Sequence, residues 1–230
     1  ALSRKYVDRA VRKLLSGRYS TMPRLTVQRI VADGGLSSIK TLCSSDDIYI
    51  RTWPQPTGLQ SFYQNLRVAL AEAKGEVIIF MEDDDWYSAD YLEQIVSLFL
   101  DSGTNIAGEG ETAYWNWRYG LAARRGNLNH AALFQTAVRG EMKERMLDLL
   151  QDEANGPYLD LRLWRSPVAR RSITVPARPL SVGIKGLPGR EGFSDCHRSV
   201  HDFDLPTRFA EEWLGEDFDE YMNFSELEVA

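Results

Sequence analysis

The chain has 230 residues, 43% hydrophobic and 26% charged, which suits one globular domain with a sizeable core. No run of 18 uncharged apolar residues occurs, so a membrane-spanning helix is not expected. The net charge of −6 argues at first sight against nucleic acid as a partner, but it is segregated: residues 1–30 carry +7, 31–160 carry −10, 161–200 carry +6 and 201–230 carry −9. On folding, these blocks either interleave into a mixed surface or place the two basic blocks on one face.

The first periodic segment, Tyr6, Val7, Ala10, Val11, Leu14 and Leu15, predicts an amphipathic helix over about 4–16. Its basic character, with no apolar h-region or small-residue cleavage site, predicts no signal peptide. Beyond Pro23, the alternating, β-branched residues 26–33 predict a strand ending at Asp33 and broken by Gly34 and Gly35. A short strand is expected over 47–51 and a helix over 60–73, where Phe62, Leu66, Ala69, Leu70 and Ala73 recur.

Val77 to Met81 is an unbroken apolar run of strand length, which reads as a strand buried on both faces of a mostly parallel sheet. Glu82-Asp83-Asp84-Asp85 follows at once, and Ser88 is placed to cap a helix carrying Tyr91, Leu92, Ile95, Val96 and Phe99. The alternation predicts an α/β sandwich. Past residue 105 come an aromatic stretch (Tyr114, Trp115, Trp117, Tyr119), a helix over 140–151, a Gly-rich segment at 183–192 and an acidic tail from 201 that is expected to be helical. Cys43 and Cys196 are the only cysteines, too few for a disulfide framework, so a reducing, cytoplasmic setting is expected.

The acidic cluster carries the strongest chemical signal. In an extended segment Asp83 and Asp85 share one face, while Glu82 and Asp84 share the other. Ligands of open α/β sheets bind beyond the carboxyl ends of strands. Adjacent carboxylates there suit a hard divalent cation, Mn²⁺ or Mg²⁺, completed by phosphate oxygens. A calcium loop would need Gly at Ser88 and Glu at Gln94, and a solvated helix-capping turn is the plainer alternative. Asp33 lies at a similar strand end and is placed for a ribose or base edge, or simply for a turn.

Three further candidates are weaker. Lys185 and Arg190, among glycines that allow close backbone approach, suit diphosphate oxygens, although the segment lacks the Walker pattern and reads equally as a surface loop. His197 is a lone histidine beside Cys196. Asp160, in an aromatic and apolar setting, is either a carboxylate whose pKa burial raises towards that of a general base or a partner for Arg162 or Arg165.

Asp33-Gly34-Gly35, then Asn65, Ala71, Gly75 to Phe80 and Asp83-Asp84-Asp85-Trp86 with Tyr91-Leu92 together resemble the nucleotide-diphospho-sugar glycosyltransferases of GT-A fold, and among them family 2. That resemblance covers roughly residues 5–100. It implies a Rossmann-like three-layer sandwich with a mostly parallel central sheet. Residues 1–105 would form the nucleotide-sugar half, 106–200 the acceptor and catalytic half, and 201–230 an acidic tail. By resemblance Asp33 contacts the nucleoside, Asp83 the ribose or a metal-bound water, and Asp85 with His197 the metal, while Asp83, Asp84, Lys185 and Arg190 line the donor and Asp160 stands where the family places its base. The family's Glu-Asp form of that base motif is absent here, and so is the strand with which the family opens.

The segment from Val182 to Arg190 followed by His197 resembles bacteriophage glycosyltransferases. The implied activity is metal-dependent hexosyl or pentosyl transfer from a nucleotide-diphosphate sugar, a UDP-sugar first. The implied acceptor is a hydroxymethylated pyrimidine in double-stranded DNA, whose phosphates the basic blocks would meet and whose extruded base residues 114–119 would stack on. Trp115 and Trp117 are also ordinary core residues. A glycan or small-molecule acceptor is the competing version; a sugar-phosphate nucleotidyltransferase and a non-catalytic binding module are the other classes.

Overall fold

The computed structural model describes residues 2–16, 26–35, 38–52, 58–101, 103–152, 158–187 and 199–223. Helix α1 (Leu2–Ser16) comes first, followed by β1 (Ile30–Asp33), which pairs in parallel with β2 (Ile48–Arg51) in a separate two-stranded sheet. Helix α2 (Leu59–Glu72) leads to β3 (Val77–Ile79), β4 (Trp86–Tyr87) and α3 (Tyr91–Ser97). The second half contains β5 (Ile106–Glu109), β6 (Thr112–Asn116), β7 (Leu121–Arg125), β8 (Thr136–Arg139), α4 (Glu141–Gln151), α5 (Leu159–Trp164), β9 (Arg171–Thr174) and β10 (Ser181–Lys185). Last come β11 (Leu205–Pro206), α6 (Arg208–Leu214) and α7 (Phe218–Met222).

Strands β3-β8-β5-β9, in that order, form a four-stranded sheet with a core on each face. Side chains alternate along a strand. The cross-strand pair Ile106 and Val138 therefore faces Met142, Met146, Leu163 and Trp164 of α4 and α5, while Ala107 and Ala137 face Ala10, Tyr91, Ile95 and Phe99 of the α1/α3 side. Helix, sheet and helix make the three layers expected of the sequence. A five-stranded sheet, β11-β7-β6-β10-β4, carries a third core of Tyr6, Trp86, Trp115, Ile184, Trp213 and Tyr221. The sheets are mixed: β1–β2, β5–β9 and β6–β10 are parallel and the other pairings antiparallel. No described helix is long and apolar enough to cross a membrane.

Several local expectations need correction. The apolar run at 77–81 yields only a three-residue strand at a sheet edge, half-buried and antiparallel to β8; it is apolar because it touches two cores. Ser88 does not cap α3 with its side chain, for Asp90 holds the N-cap position, and the Ser88 carbonyl receives the Tyr91 amide instead. Residues 201–223 are not a solvated tail: β11 pairs with β7, and Ala210, Trp213, Leu214 and Tyr221 are buried.

Candidate donor and metal site

After β3 the backbone leaves the sheet, and residues 83 and 84 form a turn. The expected extended alternation of Asp83 with Asp85 therefore fails. The turn instead gathers Glu82, Asp84 and Asp85, each with a carboxylate oxygen within 4.8 Å of the others, while Asp83 is exposed outside the group. Two bonds fix the turn. The Glu82 amide donates to the Tyr87 hydroxyl oxygen at 2.7 Å, and the Ile184 amide donates to Asp85 Oδ1 at 2.9 Å. The second is available because β10 pairs with β4, Val182 opposite Trp86, and so runs alongside Asp85.

Lys185 closes the group from β10. It is half-buried at the end of β10, not part of a surface loop, with Nζ 3.5 Å from Asp85 Oδ1 and 5.8 and 5.9 Å from the ring centres of Tyr114 and Phe134. The glycine before it is a packing requirement: a Cβ on Gly183 would lie 2.6 Å from Tyr114 Cδ1. Hence the first part of the Gly-rich segment is strand. Arg190 and His197 lie outside the described residues.

The electrostatics follow from crowding. Burial is the largest influence on Glu82 and pushes it up to about 7, with Lys185 opposing and Asp84, Asp83 and Asp160 adding to the rise. Burial likewise raises Asp85 well above the carboxylate range, against the pull of Lys185 and the Ile184 amide. Burial would lower Lys185, but Asp85, Asp84 and Glu82 overrule it and hold the ammonium charged. Three carboxylates and one ammonium leave a formal −2 when all are ionised. Asp85 Oδ2 is buried without a hydrogen-bond partner. An all-oxygen donor set with a residual double charge and one orphaned oxygen fits Mg²⁺ or Mn²⁺.

Asp160 begins α5, half-buried, and burial raises its pKa. Its charge acts on Glu82, Tyr114 and His130, which places it on the same side of the molecule as the acidic group. Asp33 is differently occupied. Its buried carboxylate accepts from the Gly35 and Ile39 amides at 3.0 Å each and from the Tyr49 hydroxyl at 2.6 Å, and pairs with Arg51 at 2.9 Å. Burial alone would raise its pKa, but these partners together lower it. It holds the turn after β1 in place, and none of its partners belongs to the acidic group.

Trp115 is fully buried against Phe218 and Tyr221, and the half-buried Trp117 donates to the Tyr221 carbonyl, so these two rings of the expected stacking platform belong to the core, whereas Tyr119 is exposed. Glu82 and His130 were not singled out by sequence reasoning. Glu82 was recognisable only as the i−2 neighbour of Asp84, a spacing that the assumed strand assigned to the other face.

A family model described as Glycosyl transferase family 2 matches residues 4–147. That span includes Glu82, Asp84 and Asp85 and ends before Asp160 and Lys185. Among solved structures, the chain is similar to one titled "Crystal structure of S. aureus TarS", with a TM-score of 0.51 and 12% identity over 96% of this chain and 42% of that one. The chain thus spans about two-fifths of that protein's length, and at this identity the likeness is one of fold. No curated protein sequence matches it.

Proposed function

The chain belongs to glycosyl transferase family 2 and has its GT-A, Rossmann-like fold, and from that premise we propose that it transfers a hexosyl or pentosyl group from a nucleotide-diphosphate sugar to an acceptor hydroxyl. The observation that carries this reading is the group Glu82, Asp84 and Asp85 with its orphaned Asp85 Oδ2. A divalent cation held there, Mn²⁺ or Mg²⁺, supplies charge stabilisation for a departing diphosphate.

The chain's own residues do the rest. Lys185 keeps the carboxylates from repelling one another and fixes Asp85 for its role. Asp160 takes the proton from the acceptor hydroxyl. The acceptor oxygen then bonds to the anomeric carbon as the bond from that carbon to the diphosphate oxygen breaks, and the nucleoside diphosphate leaves with the electron pair. A raised pKa makes Asp160 a stronger base than a solvated aspartate. The donor we favour is a UDP-sugar.

Modified double-stranded DNA as acceptor draws less support from the charge layout. In the first basic block Lys5 pairs with Glu220, Arg9 with Asp217, and Arg29 with Asp8 and Asp47. The test is release of nucleoside diphosphate from a panel of nucleotide sugars with Mn²⁺, Mg²⁺ or EDTA. Asp85→Asn is expected to lower turnover about 100-fold or more. Asp160→Asn is expected to lower it by a similar factor while donor binding stays intact. Turnover indifferent to EDTA would overturn the metal reading, and release of pyrophosphate would point to a nucleotidyltransferase.

A further inference from the structure

A cavity of about 500 Å³ opens against α5, the helix that carries Asp160, and is lined among others by Asn127, His130, Leu161, Trp164, Arg165 and Arg171. We propose that this cavity is the acceptor site and that it takes an acceptor carrying a phosphate ester, held by Arg165 and Arg171, next to an apolar or ring-shaped portion. The proposal rests on the reading of Asp160 as base, and its binding claim is tested separately below.

The cavity is a built feature. Its floor is apolar, from Leu161 and the buried Trp164, whose indole is fixed by a 2.9 Å bond to Thr136 Oγ1. The segment bearing Asn127 and His130 lies tight against β5 because residues 108 and 110 are glycines. A Cβ on Gly110 would stand 2.8 Å from the Asn127 carbonyl oxygen, and one on Gly108 would stand 2.7 Å from Ala131 Cβ and 3.1 Å from the Trp164 ring. Asn127 in turn bonds the His130 ring. On α5, Asp160 and Trp164 are four residues apart and share a helix face, so a molecule resting on Trp164 has the carboxylate one turn away.

The charge points to an anion. Arg171 spends Nε on the Trp164 carbonyl at 2.6 Å, and Arg165 makes no side-chain bond among the described residues. Neither pairs with a described carboxylate, whereas their neighbour Arg170 is taken by Glu141 at 2.7 Å. Two guanidinium groups on one cavity suit the oxygens of a phosphate, which the planar fork engages in pairs. His130 feels both Arg165 and Asp160, so the anion-binding wall and the base share one local field. A volume of this size holds one ring with its phosphate.

The test uses the full chain and phenyl phosphate as probe, with benzyl alcohol as the uncharged counterpart. Binding is read from the His130 ring resonances, assigned with His130→Gln. Saturable shifts with phenyl phosphate, weakened roughly tenfold or more in Arg165→Gln and in Arg171→Gln and unchanged by saturating UDP with diamagnetic Mg²⁺, support the proposal. Arg165→Gln is the decisive variant, since among the described residues its side chain holds nothing else in place. Equal binding of benzyl alcohol, indifference to Arg165→Gln, or displacement of phenyl phosphate by UDP would each overturn it. If the probe binds as expected while no nucleotide sugar is turned over, the anion pocket stands and the transferase reading falls. Turnover of a nucleotide sugar without Arg165-dependent probe binding has the opposite meaning.

Discussion

Glu109 offers a test of how the site is held together. It lies at the end of β5, 1% exposed, and reaches from the four-stranded sheet to the start of β10. Its Oε1 accepts from the Leu180 amide at 2.7 Å, and its Oε2 accepts from the Ser181 hydroxyl at 2.6 Å and from Gln135 Nε2 at 3.1 Å. These bonds anchor the strand that brings Ile184 and Lys185 to Asp85. Burial pushes Glu109 up to about 7 from 4.5, against the pull of those three donors. The folded state therefore binds this proton more tightly than the unfolded chain does. The resulting stability is full below about pH 4.5 and is lost as pH rises through about 7. A gap of that size is worth about 3 kcal/mol.

Glu109→Gln is neutral at every pH, so it escapes that loss. It gives up one accepted bond, because an amide has one oxygen, at a cost of about 1–2 kcal/mol that is nearly independent of pH. The difference in unfolding free energy between variant and parent should move about 3 kcal/mol in the variant's favour from pH 5 to pH 8. Urea unfolding followed by tryptophan fluorescence at four pH values measures it, and taking the difference cancels all other titrating groups. A difference that stays flat across this range would refute the argument that Glu109 is a strained carboxylate clamp.

Lys185→Met leaves Glu82, Asp84 and Asp85 without their internal cation; thermal melts at pH 8 should show a loss of about 3 kcal/mol that added Mn²⁺ partly restores, and a melt unaffected by either change would contradict the site's charge balance. Gly183→Ala drives a methyl against Tyr114, itself packed edge-on against Phe134, and should cost about 2 kcal/mol by overpacking, measured by denaturant midpoint. Trp115→Ala empties the centre of the third core and should cost about 4 kcal/mol; a cost below about 1 kcal/mol would return Trp115 to the ligand-stacking role.

The helices were legible where an apolar face recurs at helical spacing. The helices expected at 60–73 and 140–151 are α2, Leu59–Glu72, and α4, Glu141–Gln151. Strand β7, Leu-Ala-Ala-Arg-Arg, has no alternating pattern, because its partner strands rather than its own side chains define it. The acidic group was located correctly but its geometry was not. The apolar run suggested that the strand continued through Asp85, whereas β3 stops at Ile79 and a turn selects Glu82, Asp84 and Asp85. The tail expected to be helical from 201 forms α6 and α7, and Ala210, Trp213 and Leu214, spaced i, i+3 and i+4, are the residues that α6 buries.

The opposed charge of the two ends of the chain now has a physical reading. Lys5 and Arg9 on α1 meet Glu220 and Asp217 at the last helix, and the Tyr6 hydroxyl donates to Glu220 at 2.9 Å. The exposed Lys5–Glu220 pair adds little to stability. The binding force is the stack of Tyr6 on Tyr221, ring centres 5.5 Å apart, over the buried Trp86 and Trp115. The charges give that apolar contact its register, since Asp217 also accepts from the Trp86 indole at 2.9 Å. Two pairs, Lys5 with Glu220 and Arg9 with Asp217, thus join the +7 and −9 blocks. In the 161–200 block Arg170 pairs with Glu141 and Lys185 with Asp85, while Arg165 and Arg171 line the cavity against α5. The uneven charge of the sequence therefore serves two ends: at the termini it docks one part of the chain on another, and around α5 it leaves positive charge available to a ligand.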